Sequence, residues 1–123
     1  MLKFVQSVAG ENPLIICGDF NAEPTEPVYS TIINCSEIEL SSAYADMVLA
    51  ENEKCSKLGG FDENDGASKR SRVDELAAQE PPFTTWKIRE DGEVCHTIDY
   101  VFYSLNKFKV IKLIFHVLRL FKI

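Results

Sequence analysis

Pro13-Leu14-Ile15-Ile16-Cys17-Gly18-Asp19-Phe20-Asn21 joins a short apolar run to a glycine, a carboxylate and a carboxamide. An apolar run of this length, bounded by a proline and a glycine, reads as a fully buried strand. Cys17, inside the run, reads as a small core residue. Asp19 and Asn21 then project from the end of a rigid strand into whatever cleft the sheet presents, which is where open α/β sheets place ligand chemistry. A carboxylate there can hold a divalent metal or take a proton from water, and an amide can donate to a phosphoryl oxygen. A Gly-Asp turn with no chemistry satisfies the same letters.

On the amino-terminal side, Leu2, Phe4, Val5 and Val8 have the spacing of a helix over 2–9, and Gly10 to Pro13 supply the stop and the turn. A helix feeding a buried strand predicts layered α and β structure rather than an all-β barrel. On the carboxyl side, Thr25 reads as an N-cap, with Glu26 and Pro27 in the first turn. Val28, Tyr29, Ile32 and Ile33 form the apolar face of that helix, which pins the Asp19/Asn21 loop to the sheet. Ile38 to Ala50 reads as a short extended piece and a helical turn.

Residues 51–80 are polar, acidic and glycine-bearing, and predict a solvated, mobile surface insertion in which Val73 to Ala78 can make one helical turn. Asp62, Glu63 and Asp65 fall short of a calcium loop, because the full ligand ladder is absent. Phe83-Thr84-Thr85-Trp86-Lys87-Ile88-Arg89 is strand-like, and Glu90-Asp91-Gly92-Glu93 contains an Asp-Gly turn. Val94 to Tyr103 then reads as one second strand, with His96, Ile98, Tyr100 and Phe102 on one face and Asp99 on the other. Asp99 stands among apolar residues, where a carboxylate costs several kcal/mol unless it is paired or bound to a metal. A hydroxyl or backbone partner meets that need as well as a catalytic one.

The net charge of −6 argues against a broad electrostatic footprint for nucleic acid. The charge is uneven: up to residue 103 there are 8 basic residues against 19 acidic ones, and the last five basic residues all follow. Four cysteines without a C-x-x-C spacing point to a reduced, intracellular setting. In the ending, Lys109, Lys112, His116 and Arg119 fall at helical spacing, giving a basic-apolar tail without an apolar run long enough to span a bilayer. A membrane-surface helix and a strand over 108–114 are both compatible with it.

Gly18-Asp19-Phe20-Asn21-Ala22-Glu23-Pro24-Thr25, taken with Phe83 to Arg89, Gly92-Glu93 and His96-Thr97-Ile98-Asp99-Tyr100-Val101-Phe102-Tyr103-Ser104, resembles the endonuclease/exonuclease/phosphatase superfamily, and within it the deadenylase-like branch. The likeness covers most of residues 1–104. It implies an α/β (α+β) sandwich, of which this chain would form about half of a four-layer domain: 1–104 a partial domain, 51–80 its insertion and 105–123 a divergent tail. It also implies hydrolysis of a phosphoester with Mg2+ or Mn2+, the substrate being an RNA 3′ end or NADP(H). In that scheme Asp19 prepares the attacking water, directly or through the metal. Asn21 holds the scissile phosphate and Asp99 orients a histidine. Lys87 and Arg89 meet substrate phosphates or form a solvated face, and His96, one strand-face away from Asp99, is a further substrate-binding candidate. The family's amino-terminal metal-binding glutamate and its closing Ser-Asp-His have no counterpart in this sequence. The expectation is therefore a cytoplasmic piece of such an enzyme (mitochondrial for a longer form), without turnover of its own, whose partner is a missing amino-terminal half. A non-catalytic interaction fragment or a truncated gene product is the alternative.

Overall fold

A computed structural model describes residues 1–56 and 70–111 of the chain. Helix α1 (Leu2–Ala9) closes at Gly10, whose N–H donates to Gln6 O at 2.9 Å with a φ of 55°; that conformation strains a residue bearing a Cβ. Strand β1 (Ile15–Asp19), helix α2 (Pro27–Ile33), strand β2 (Leu40–Ser42), helix α3 (Ala43–Ser56) and helix α4 (Arg72–Ala77) follow. Strands β3 (Thr85–Arg89), β4 (Gly92–His96) and β5 (Asp99–Ser104) complete the described elements. β5 lies between β1 and β2 in an antiparallel sheet, while β3 and β4 form a separate two-stranded ribbon. Its turn is Glu90–Asp91, with Arg89 opposite Gly92.

The core forms on the α2 side of the sheet. Tyr29, Ile32 and Ile33 of α2 pack with Leu40, Ala45, Leu76, Tyr100 and Phe102. The Tyr100 and Phe102 rings stack at 5.2 Å, and Phe20 meets Phe102 edge-on at 5.3 Å. Tyr29 leans on Tyr100 at 5.4 Å. Such contacts each add something beyond area burial. Burial lifts the Tyr29 phenol far above its usual range, and the charge of Glu80, which accepts its O–H at 2.7 Å, adds to the effect.

Several expectations are corrected. β1 is not fully buried: it lies at the sheet edge, bonded to β5 alone, and Ile15 is 56% exposed. Leu14 and Ile16 pack inward while Cys17 faces solvent, so the cysteine is no core residue. An apolar run is compatible with a central or an edge strand, and only pairing separates them. Helix α2 starts at Pro27 with Glu26 as N-cap, and Thr25 makes no cap. The described ends of the 51–80 stretch are helical rather than irregular. Ser71 caps α4 by accepting from Asp74 N at 3.2 Å, and Leu76 is buried. The Asp62 to Asp65 cluster lies outside the described residues.

The expected single strand over 94–103 is broken at Thr97 and Ile98, so His96 and Asp99 belong to different sheets. Hydrogen bonds divert the chain there. Thr97 Oγ1 donates to Pro81 O at 2.7 Å, and the Tyr100 hydroxyl hydrogen-bonds Thr97 O at 2.8 Å. Among the described residues no helix is long and apolar enough to cross a membrane. The readings placed on 112–123 of the tail lie outside the described residues.

Candidate functional site

The site is built on the β1–β5 pairing. Asp19 stands directly opposite Asp99, Cys17 opposite Val101 and Ile15 opposite Tyr103. Phe20 N–H donates to Ile98 O at 2.8 Å, and Ser104 N–H to Leu14 O at 2.9 Å. That bonding puts Asp19 and Asp99 in a non-hydrogen-bonded position, where facing Cα atoms are about 4.5 Å apart and the side chains share one face. The two carboxylates expected to act together are therefore brought together.

Phe20 explains why Asp19 and Asn21 are presented outward. Its ring sinks into the aromatic core, 5.9 Å from Tyr100 and 5.3 Å from Phe102, so in extended chain its neighbours point away. Beyond it the loop is held at successive residues. Asp19 Oδ1 accepts from Asn21 N–H at 2.7 Å, an Asx-type turn in which Asn21 takes a φ of 49°. Ala22 O accepts from the Tyr100 hydroxyl at 2.8 Å.

Asp99 is half-buried and bound by hydroxyls. Its Oδ2 accepts from Thr84 Oγ1 at 2.9 Å and from Thr85 Oγ1 at 2.8 Å. Thr84 Oγ1 also accepts from Ile98 N–H and Asp99 N–H, both at 3.0 Å. One hydroxyl thus fills its single donor and both acceptor positions. It also ties the β3–β4 ribbon to β5. Thr84→Val keeps the shape and strands these groups, so it is expected to cost about 2 kcal/mol in urea unfolding. Thr85→Val, which loses one bond, is expected to cost less.

The ribbon's inner face carries the cations. Thr85 pairs with His96 and Lys87 with Val94, which puts Thr85, Lys87, Arg89 and His96 on the same side. With Asn21, Glu23, Glu26 and Ile98, three of these (Lys87, Arg89 and His96) line an open cleft of about 480 Å³. The expected substrate-facing residues thus meet Asn21 in one place. Asp19 and Asp99 do not line it; they adjoin it through Asn21 and through Thr85. No histidine among the described residues contacts Asp99, since His96 Nδ1 lies 2.6 Å from Glu23 Oε1. His116 is outside the described residues. A second cleft, of about 220 Å³, lies at the far end of the β1–β5 pair around Leu14 and Ser104, away from these groups.

Sequence reasoning missed Glu23, the two threonines and Tyr44. Tyr44 feels the Asp99 charge: burial first, then that charge, raises its phenol above the usual range. Glu23 was legible only as part of a helix start. The threonines stood in plain view at the head of a strand, where β propensity accounted for them.

A donor set can be tested against a divalent ion. Asp19 Oδ2 and Asp99 Oδ1 carry no hydrogen bond from a described residue. Two carboxylate oxygens on one face fit an ion that keeps several waters. Among the described residues no group of three or more His, Cys, Asp or Glu side chains is arranged to hold a metal, so the fit is to an open, hydrated ion and not to a closed protein cage.

Nocturnin of Drosophila melanogaster is 47% identical over 110 residues, covering 89% of this chain and 16% of that protein. Nocturnin of Xenopus laevis is 45% identical over 98 residues, 80% of this chain and 18% of that protein, and that of Homo sapiens 42% identical over 98 residues, 80% and 16%. The chain thus spans under a fifth of the length of these relatives. A solved structure of the human Nocturnin catalytic domain with bound sulfate anion matches 85% of this chain and 26% of that one, at 34% identity and a TM-score of 0.48. The family model described as the Endonuclease/Exonuclease/phosphatase family matches residues 2–116. The chain belongs to the Endonuclease/Exonuclease/phosphatase family.

Proposed function

We propose that this chain carries the water-activating and phosphate-holding part of a Mg2+- or Mn2+-dependent phosphoester hydrolase, acting on an RNA 3′ end or on NADP(H). The observation that carries the reading is the pairing of Asp19 with Asp99 on one face, beside a cleft in which Asn21, Lys87 and Arg89 converge. Enzymes of the family generally use divalent metal ions. Asp19 and Asp99 would hold the ion through its water shell, and the ion would supply charge neutralisation at the phosphate and a more acidic water. The other steps belong to the chain's own residues. Asp19, with one free oxygen, takes the proton of the attacking water. The Asn21 amide, fixed by its Asx turn, donates to a phosphoryl oxygen where charge develops. Lys87 and Arg89 neutralise the substrate's remaining phosphates.

We further infer that the chain alone does not turn over. Asp99 spends one oxygen on two threonines, and His96 is committed to Glu23, so among the described residues no imidazole reaches the carboxylate pair to protonate a leaving group. Purified chain with Mg2+ is expected to show amide shifts at Asp19 and Asp99 by NMR, and no product above background from poly(A) RNA or NADPH. Absence of those shifts counts against the metal reading. Metal-dependent release that disappears in Asp19→Ala counts against inertness. A second reading, a non-catalytic interaction piece, draws on the solvent-facing Ile15 and Cys17 at the free edge of the sheet.

A further inference from the structure

Glu23 has no part in the chemistry above, yet it is held from several sides. Its N–H donates to Glu26 Oε2 at 2.5 Å, and Glu26 N–H donates back to Glu23 O at 2.9 Å. The preceding carbonyl, Ala22 O, is fixed by the buried Tyr100 hydroxyl. From this base Glu23 Oε1 crosses to the ribbon and reaches His96 Nδ1 at 2.6 Å. The other ring nitrogen, Nε2, has no hydrogen-bond partner among the described residues, and His96 lines the same cleft as Lys87, Arg89 and Asn21. Among the described residues Lys87 and Arg89 make no ion pair, the one within 4.0 Å being Glu23 with His96. A carboxylate placed in a cleft for anions repels them. Its presence calls for an offsetting service.

We propose that Glu23 is a positioning residue for an anion site: it holds the His96 ring by Nδ1–H so that Nε2–H joins Lys87 and Arg89 on a phosphate group of the substrate. The proposal rests on the hydrolase reading of this cleft and adds to it the residue that orients the imidazole. A carboxylate on one ring nitrogen fixes the ring's rotation and aims the other nitrogen into the cleft. The Glu23 carboxylate is then turned to the His96 ring and not to the ligand.

Two accounts of Glu23 predict opposite signs. If the carboxylate only contributes its charge, removing it strengthens anion binding; if it positions His96, removing it weakens binding. The probe is inorganic pyrophosphate, titrated into the full chain by calorimetry. Glu23→Ala and His96→Gln are each expected to weaken binding about tenfold, the scale of a lost charge-assisted hydrogen bond, with the double variant no weaker than either alone. Glu23→Gln, which keeps an acceptor for Nδ1–H, is expected to recover part of the affinity. It also carries the test if alanine unfolds the loop. Imidazole 15N spectra should show Nδ1 of His96 protonated in the unaltered chain and mixed tautomers in Glu23→Ala. Equal or tighter pyrophosphate binding by Glu23→Ala overturns the positioning role while leaving the cleft reading intact. Pyrophosphate binding that is absent, or unaffected by Lys87→Ala and Arg89→Ala, overturns both.

Discussion

Asp19→Ala is expected to lower phosphoester hydrolysis at least about a hundredfold, the scale on which a positioned base acts, in a chimera where this chain's matching segment replaces that of Drosophila melanogaster Nocturnin. The chimera supplies the surroundings that the proposed function requires, and the substitution removes one carboxylate. Asp19 is exposed, and among the described residues its side chain is bonded only by the Asn21 N–H, so thermal stability should barely change. The loss therefore reads out chemistry and not folding. It should appear in kcat rather than in KM, because water activation acts in the transition state. Asp99→Asn, which keeps an oxygen for Thr84 and Thr85, should lower kcat as well. A chimera that hydrolyses NADPH or poly(A) RNA equally well with and without Asp19 removes the base from the account.

Phe102→Ala is expected to cost about 3–5 kcal/mol in urea unfolding, as for a large aromatic truncated in a core. Phe102 is wholly buried and touches the rings of Phe20, Tyr29 and Tyr100. Domains of this size have only about 5–15 kcal/mol in hand, so a large fraction of the variant should be unfolded at 37 °C. The effect also reaches the site. Phe20 loses one of its two ring contacts, and with it the anchor that turns Asp19 and Asn21 outward. Raised amide exchange at residues 19–21, beyond that of β2, is the expected signature. A cost under about 1 kcal/mol, the level of a mild core change, means that the aromatic cluster does not hold the loop.

These two predictions rest on features with different visibility in the sequence. The outward placement of Asp19 and Asn21 around the apolar Phe20 could be read directly, because period two fixes which side chains share a face, although Cys17, which shares that face, reads as core. So could the ribbon, whose Asp-Gly turn falls where the strands reverse. Two features could not. The edge position of β1 depends on which strand pairs with it, and four apolar letters are compatible with either location. The break after His96 hides in Thr97, a residue that favours strands by propensity but here donates its hydroxyl to Pro81 O. Helix α4 (Arg72–Ala77) matches the helical turn legible over Val73 to Ala78, and Ser71 is the kind of residue that caps helices.

The site divides along the same lines. Asp19, Asn21, Asp99, Lys87 and Arg89 are legible from motif wording; Asp19 faces Asp99, while Asn21, Lys87 and Arg89 line the adjoining cleft. Glu23 was hidden because its partner lies 73 residues away, and no local pattern encodes such a contact. Asp99 was legible as a carboxylate in need of a partner. That its partners are Thr84 and Thr85 was not, because a hydroxyl, a metal and a histidine all meet that need.

All of this requires β1 and β5 to pair in the register that sets Asp19 against Asp99. In an antiparallel pair the Hα atoms of facing, non-hydrogen-bonded residues come within easy reach of a nuclear Overhauser effect. A NOESY spectrum of the 13C-labelled chain should therefore contain strong Hα–Hα cross-peaks for Asp19 with Asp99, Cys17 with Val101 and Ile15 with Tyr103. Cross-peaks displaced by one residue would turn one carboxylate to the opposite face, and they would contradict the shared site outright.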